Sequence, residues 1–167
     1  MTGTTGSTGS ASGITYVKGD ATAPQGKGVK VIAHVCNDLG GWGKGFVLAL
    51  SRRWPEPEAV YRRWHRERAH NDFGLGAARF VQVGDRLWVA HIIGQRGMRT
   101  GSKGVPVRYD ALDAGLGRVA VGAMELGASV HMPRIGCGLA GGKWSRVEPL
   151  ISQRLTRQGV AVTVYDH

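Results

Sequence analysis

Apolar residues along this chain alternate between short β-branched runs and longer stretches with helical spacing. Residues 14–18 read as a short strand. Residues 29–35 read as a stronger one, almost continuously apolar, as expected of a strand buried on both faces. The apolar segment 46–54 is stopped by Pro55, and residues 56–70 carry helical periodicity through Val60, Tyr61 and Trp64. Two strand-like runs follow, 77–83 and 87–93, joined by Gly84-Asp85 as a hairpin turn. Residues 94–107 form a polar loop with four glycines. Tyr109–Leu126 is helical despite Gly115, Gly117 and Gly122, which suit close packing on a sheet. Residues 128–132 make a strand, 133–142 a second glycine-rich loop, 145–158 a helix and 160–165 a last strand. Ser145 and Glu148 have capping-box spacing, although Pro149 blurs where that helix starts. Strands alternating with helices imply an α/β fold with a mostly parallel sheet covered on both faces, made mixed by the hairpin.

The first 13 residues are Gly, Ser and Thr apart from Met1 and Ala11. Such a stretch buries too little apolar surface to offset its ordering entropy, so 1–13 is expected to be a flexible tail and 14–167 one domain. It lacks the charged start and apolar run of a signal peptide, and no window approaches the ~18 apolar residues of a membrane span. The expectation is a soluble, cytoplasmic, monomeric protein with no membrane partner. The two cysteines, Cys36 and Cys137, have no paired spacing, and the six histidines form no HxxxH pattern. No metal site and no cofactor is therefore expected, and two free thiols in a reducing compartment is the plain reading. One at the edge of each glycine loop, they also raise the question of a redox pair.

The 22 basic and 12 acidic residues leave a net charge of +10. That charge attracts polyanions. Arg52, Arg53, Arg62, Arg63, Arg66 and Arg68, however, read as a solvated helical surface, and Trp54, Tyr61 and Trp64 follow helical spacing toward a core. Nucleic acid is not expected as the main ligand, and a nucleotide diphosphate accounts for the charge equally well.

The glycines carry the chemistry. Residues 37–45 read Asn-Asp-Leu-Gly-Gly-Trp-Gly-Lys-Gly, and 134–142 read Arg-Ile-Gly-Cys-Gly-Leu-Ala-Gly-Gly, each between a strand and a helix. Glycine lets a ligand approach the backbone, and successive N–H groups at a helix start bind anions. Two such loops at the carboxyl ends of strands suit a diphosphate held between them. Gly45 stands where a P-loop needs Ser or Thr after Gly43-Lys44, which disfavours an NTPase. Gly136, Gly138 and Gly141 spell GxGxxG with Asp166 after the next strand, a weak dinucleotide signal, and plain turns remain the bland alternative.

Four strings occur in the order and spacing of a macrodomain: Val17-Lys18-Gly19-Asp20, Ala33-His34-Val35-Cys36-Asn37, Gly41-Trp42-Gly43-Lys44-Gly45 and Pro133-Arg134-Ile135-Gly136-Cys137-Gly138-Leu139. The match covers nearly the whole chain after residue 13 and resembles most the branch containing the terminal ADP-ribose protein glycohydrolase and the yeast-type ADP-ribose 1″-phosphate phosphatase. The resemblance implies a three-layer α/β/α macrodomain with a mixed, mostly parallel central sheet, and ADP-ribose or a mono-ADP-ribosylated protein as ligand. It assigns Asp20, with Ala21, to the adenine amino group, which a carboxylate suits because it only accepts hydrogen bonds. It assigns the backbone of Gly43, Lys44, Gly45 and Phe46, and of Ile135, Gly136, Cys137, Gly138 and Leu139, to the diphosphate and distal ribose. Trp42, Gln95, Ala140 and Tyr165 join the binding set. His34 does too, although a histidine ending a buried strand is more often a satisfied core residue. Asn37 is placed beside the distal ribose.

That glycohydrolase uses a loop lysine and a loop-two aspartate. Here the matching stretch reads Ile93-Gly94-Gln95-Arg96, and the aspartate position is Ala140. Glutamine cannot form a Schiff base and alanine cannot relay a proton. The remaining route is direct attack by water, oriented by Asn37 with Asp38 as base, while Gln95 and Arg96 hold the leaving group. Nothing in the sequence fixes where Lys103 of the same loop points. Hydrolysis of mono-ADP-ribose from protein carboxylates is the leading expectation. The alternatives are an ADP-ribose 1″-phosphate phosphatase and a non-catalytic ADP-ribose reader.

Overall fold

The computed structural model describes residues 8–9, 13–97 and 105–167. Its strands are β1 (Thr8–Gly9), β2 (Thr15–Lys18), β3 (Lys30–Asn37), β4 (Ala78–Gly84), β5 (Leu87–Gln95), β6 (Ser129–Met132) and β7 (Val162–Asp166). They form one seven-stranded sheet in the order β1-β2-β7-β6-β3-β5-β4. The four internal pairings are parallel, and only the two outermost are antiparallel. Thr8 and Gly9, within the expected tail, pair with Tyr16 and Thr15; the other residues of 1–12 lie outside the described ones.

The helices α1 (Phe46–Arg53), α2 (Glu56–Arg66), α3 (Tyr109–Leu126) and α4 (Trp144–Arg154) complete the three layers. Alternation along β3 and β5 sorts the core into two halves. Val31, Ala33, Ala90 and Ile92 pack with Leu112, Leu116 and Val119 of α3 and with Val147 and Ile151 of α4. Ile32, Cys36, Val89 and Ile93 pack on the other face with Val47 and Leu50 of α1 and with Tyr61 and Trp64 of α2. A sheet buried on both faces explains the near-continuous apolar runs. Among the described residues no helix is long and apolar enough to cross a membrane.

Three local expectations are corrected. The β4–β5 turn is Asp85-Arg86, because a register shift between Gln82 and Gly84 carries Gly84 into the strand. The expected loop loses Gly94 and Gln95 to β5, and Lys103 lies outside the described residues. There is no capping box on α4: the helix begins one residue earlier, at Trp144, and its N-cap, Lys143, makes no side-chain cap bond. Glu148 accepts a hydrogen bond from the Tyr16 hydroxyl instead, and the Trp144 indole N–H donates to that hydroxyl at 3.0 Å.

Candidate functional site

The strand β3 ends at Asn37 in a β-bulge against Gln95, the last residue of β5. Asn37 Oδ1 accepts the N–H groups of Leu39 and Gly41, at 2.8 and 3.1 Å, and its Nδ2 donates to Gly41 O at 2.9 Å. The Tyr61 hydroxyl, from α2, donates to Asn37 O at 2.7 Å and accepts Gly40 N–H at 3.1 Å. Asn37 thus shapes the first glycine loop with nearly all its amide capacity. Burial pushes the Tyr61 hydroxyl pKa well above its ordinary value, so it stays a protonated donor.

The second loop folds on itself. Gly142 N–H donates to Gly136 O at 2.8 Å, and a Cβ at Gly142 would lie 2.2 Å from that oxygen, so only glycine fits there. Leu139 projects out at 62% exposure and lies across Gly45 of the first loop.

A cleft of about 630 Å³ opens between the loops, lined by Val35, Cys36, Asn37, Gly41, Trp42, Gly43, Lys44, Val47, Arg62, Gln95 and Leu139. It lies at the carboxyl ends of β3 and β5, where open α/β sheets bind ligands. Among the described residues its lining carries two cations, Lys44 and Arg62, and no carboxylate. Of the residues anticipated from sequence, Asn37, Trp42, Gly43, Lys44, Gln95 and Leu139 come together here.

The others sit around the cleft or beneath it. Asp38 ties the first loop to the segment after β5, its Oδ1 accepting Gly97 N–H at 2.8 Å. Gln95 Nε2 donates to Gly97 O at 3.0 Å. Gly45, at φ 80°, and Phe46 start α1. Ala140 is buried in the core and accepts Val107 N–H at 2.9 Å, so it presents nothing to the cleft. Ile135 and Gly136 are buried, with Cys137 half-buried and Gly138 exposed. Both cysteines are free thiols, and burial raises the pKa of each.

Asp20 lies beyond β2 in a turn. Its Oδ1 accepts the Thr22 hydroxyl and Thr22 N–H at 2.7 and 2.8 Å, and Arg53 stands 3.4 Å from Oδ2. The Thr22 hydroxyl bond is the main cause holding this carboxyl below its ordinary pKa. Ala21 is buried beside it. Tyr165 is buried; its hydroxyl accepts Gln25 N–H at 2.8 Å and lies 2.7 Å from His131 Nδ1. It therefore anchors the segment that follows Asp20.

His34 is fully buried below the cleft, its Nε2 2.6 Å from His91 Nδ1. His91 Nε2 faces Pro57 O at 2.9 Å, and a carbonyl only accepts. His91 therefore carries its proton on Nε2, and His34 donates to its Nδ1. Sequence reasoning missed Arg53 and Arg62, which look like any surface arginine on a basic helix; only their tertiary partners set them apart.

No family model matches the chain. A macrodomain protein of known structure from Streptomyces coelicolor is 71% identical, covering 92% of this chain and 99% of that one with a TM-score of 0.84. The chromodomain-helicase-DNA-binding protein 1-like of Mus musculus is 32% identical over 161 residues, 91% of this chain but 17% of that protein. The chain thus spans well under a fifth of that relative's length. An ADP-ribose 1″-phosphate phosphatase of Lodderomyces elongisporus is 23% identical over 150 residues, covering 84% of this chain and 91% of that protein. With these sequence relationships and this sheet order, the chain belongs to the macrodomain family.

Proposed function

We propose that this macrodomain binds ADP-ribose in the cleft between its two glycine loops and hydrolyses mono-ADP-ribose from the carboxylates of modified proteins. The observation that carries the reading is the cleft itself: glycine backbone on one wall, Lys44 and Arg62 as cations, and, among the described lining residues, no acidic side chain to repel a diphosphate. The diphosphate lies along Gly43–Gly45, and the distal ribose at the Asn37 and Gln95 end. Neither a lysine at Gln95 nor an aspartate at Ala140 is available for covalent or relay chemistry.

Catalysis is then direct displacement. Water forms the new bond to C1″ of the distal ribose, the C1″–O ester bond breaks, and the carboxylate leaves with the electron pair. Asp38, which stands beside the cleft rather than in its lining, takes the proton from the water through the oxygen not held by Gly97. The remaining Asn37 Nδ2 hydrogen orients that water. The yeast-type relative's name favours a second reading, release of phosphate from ADP-ribose 1″-phosphate by the same cleft. Incubation with a glutamate-ADP-ribosylated protein and, separately, with ADP-ribose 1″-phosphate tests both. Release of ADP-ribose from the first, lost in Asp38→Asn, is expected. Phosphate from the second alone selects the phosphatase, and no product from either removes the catalytic reading.

A further inference from the structure

We infer that Arg62 recognises an anion at C1″ of the distal ribose: a phosphate carried there, or the carboxylate that forms as the C1″–O ester bond breaks. The inference rests on the ADP-ribose reading above. Arg62 reaches the cleft from α2, on the wall formed by the first half of the first loop. Two bonds fix its guanidinium plane: Nε donates to Glu58 Oε2 at 2.8 Å, and one terminal nitrogen donates to Gly40 O at 3.1 Å. An arginine offers five N–H donors, so three remain, and among the described residues none of these has an acceptor. Glu58, which balances the charge, does not line the cleft.

Position distinguishes Arg62 from Lys44. Lys44 sits in the second half of the loop, beside Gly43 and Gly45, where the diphosphate is placed. Arg62 bonds Gly40, and its neighbour Tyr61 bonds both Gly40 and Asn37, so it belongs to the Asn37 end that receives the distal ribose. A planar fork held in advance by two bonds suits a two-oxygen anion, and it loses less freedom on binding than a lysine does. The same two bonds make Arg62 a staple of the loop, so a simple loss of affinity in a variant would not separate the roles.

A ratio separates them. Affinities are measured by calorimetry for ADP-ribose and for an analogue bearing a non-hydrolysable methylene phosphonate on C1″, with wild type, Arg62→Gln and Arg62→Lys. Wild type is expected to prefer the phosphonate by about tenfold or more, the scale of a charge-assisted hydrogen-bond pair. In Arg62→Gln the ratio is expected to fall to near one, whatever happens to ADP-ribose affinity itself, and Arg62→Lys to restore part of it. An analogue with a carboxymethyl group on C1″, measured alongside, identifies which anion the residue favours. A wild-type ratio near one for both anions, or a ratio unchanged in Arg62→Gln while both affinities fall together, overturns the inference. Failure of wild type to bind any of the three ligands overturns the ADP-ribose reading instead.

Discussion

His34 and His91 sit opposite each other in the parallel register of β3 and β5, and their imidazoles meet at 2.6 Å in the interior of the sheet. Burial is the main cause that holds both neutral, with their pKa values below the ordinary 6.5, and burial likewise brings His131 down to about 4. The unfolded chain takes up protons near pH 6.5 that the folded protein refuses until well below it. The stability these residues contribute is therefore complete above that pH and lost as the pH falls from 6.5 toward 4, by up to about 1.4 kcal/mol per pH unit for each histidine. Urea midpoints are expected to drop between pH 7 and pH 5, and to drop less in His131→Gln. A pH-independent midpoint would contradict the neutral assignment.

Tyr61→Phe removes the hydroxyl that links Asn37 O to Gly40 N–H while keeping the ring in the core. The loss leaves a buried carbonyl and an amide without their partner, and is expected to cost about 1–2 kcal/mol in urea denaturation. Affinity for ADP-ribose should weaken with it, because the first loop loses its brace. Unchanged stability and affinity would mean that the hydroxyl does not hold the loop.

Two glycines of α3 should respond in opposite directions. A Cβ at Gly115 would stand 2.3 Å from Ile92 Cγ2 of β5, so Gly115→Ala pushes the helix off the sheet. It is expected to cost about 1–3 kcal/mol. A Cβ at Gly117 meets only the Arg154 side chain, at 3.5 Å, so Gly117→Ala is expected to gain about 0.5–1 kcal/mol from helix propensity. Thermal melts of the two variants check the sign of each.

Asp20→Ala should weaken ADP-ribose, ADP and adenosine in parallel, by about tenfold if the carboxylate makes one charge-assisted bond to the base. Thr22 occupies one oxygen, and the other stands at the long distance of 3.4 Å from Arg53. Calorimetry on the three ligands separates this from an effect on the distal ribose, which would spare adenosine. Equal affinities in variant and wild type would remove Asp20 from the site.

The order of elements was legible because each carries its own hydrophobic period; Tyr109–Leu126 is a helix at the bounds its spacing implies. The two loops were legible because glycines cluster where strands end, and Asn37, Lys44, Gln95 and Leu139 do converge on one cleft. What could not be read depends on partners distant in the chain. Ser145 and Glu148 fit a local capping pattern, yet Glu148 answers to Tyr16, 132 residues away. Arg62 shares its helix with Arg63 and Arg66, and nothing in their spacing says which one turns toward Gly40. His34 looked like a satisfied core residue, but its partner His91, 57 positions on, is named only by the strand register.

The most direct test of the account is an NMR titration of the 15N-labelled protein with ADP-ribose. Amide shifts are expected to concentrate in Gly41–Phe46, Gln95 and Ile135–Leu139, to saturate at one equivalent, and to be weaker with ADP. The absence of shifts, or shifts confined to a second cavity at the amino ends of β3, β6 and β7, around Lys27, Ser129 and Gly159, would contradict the assignment of the cleft as the ADP-ribose site.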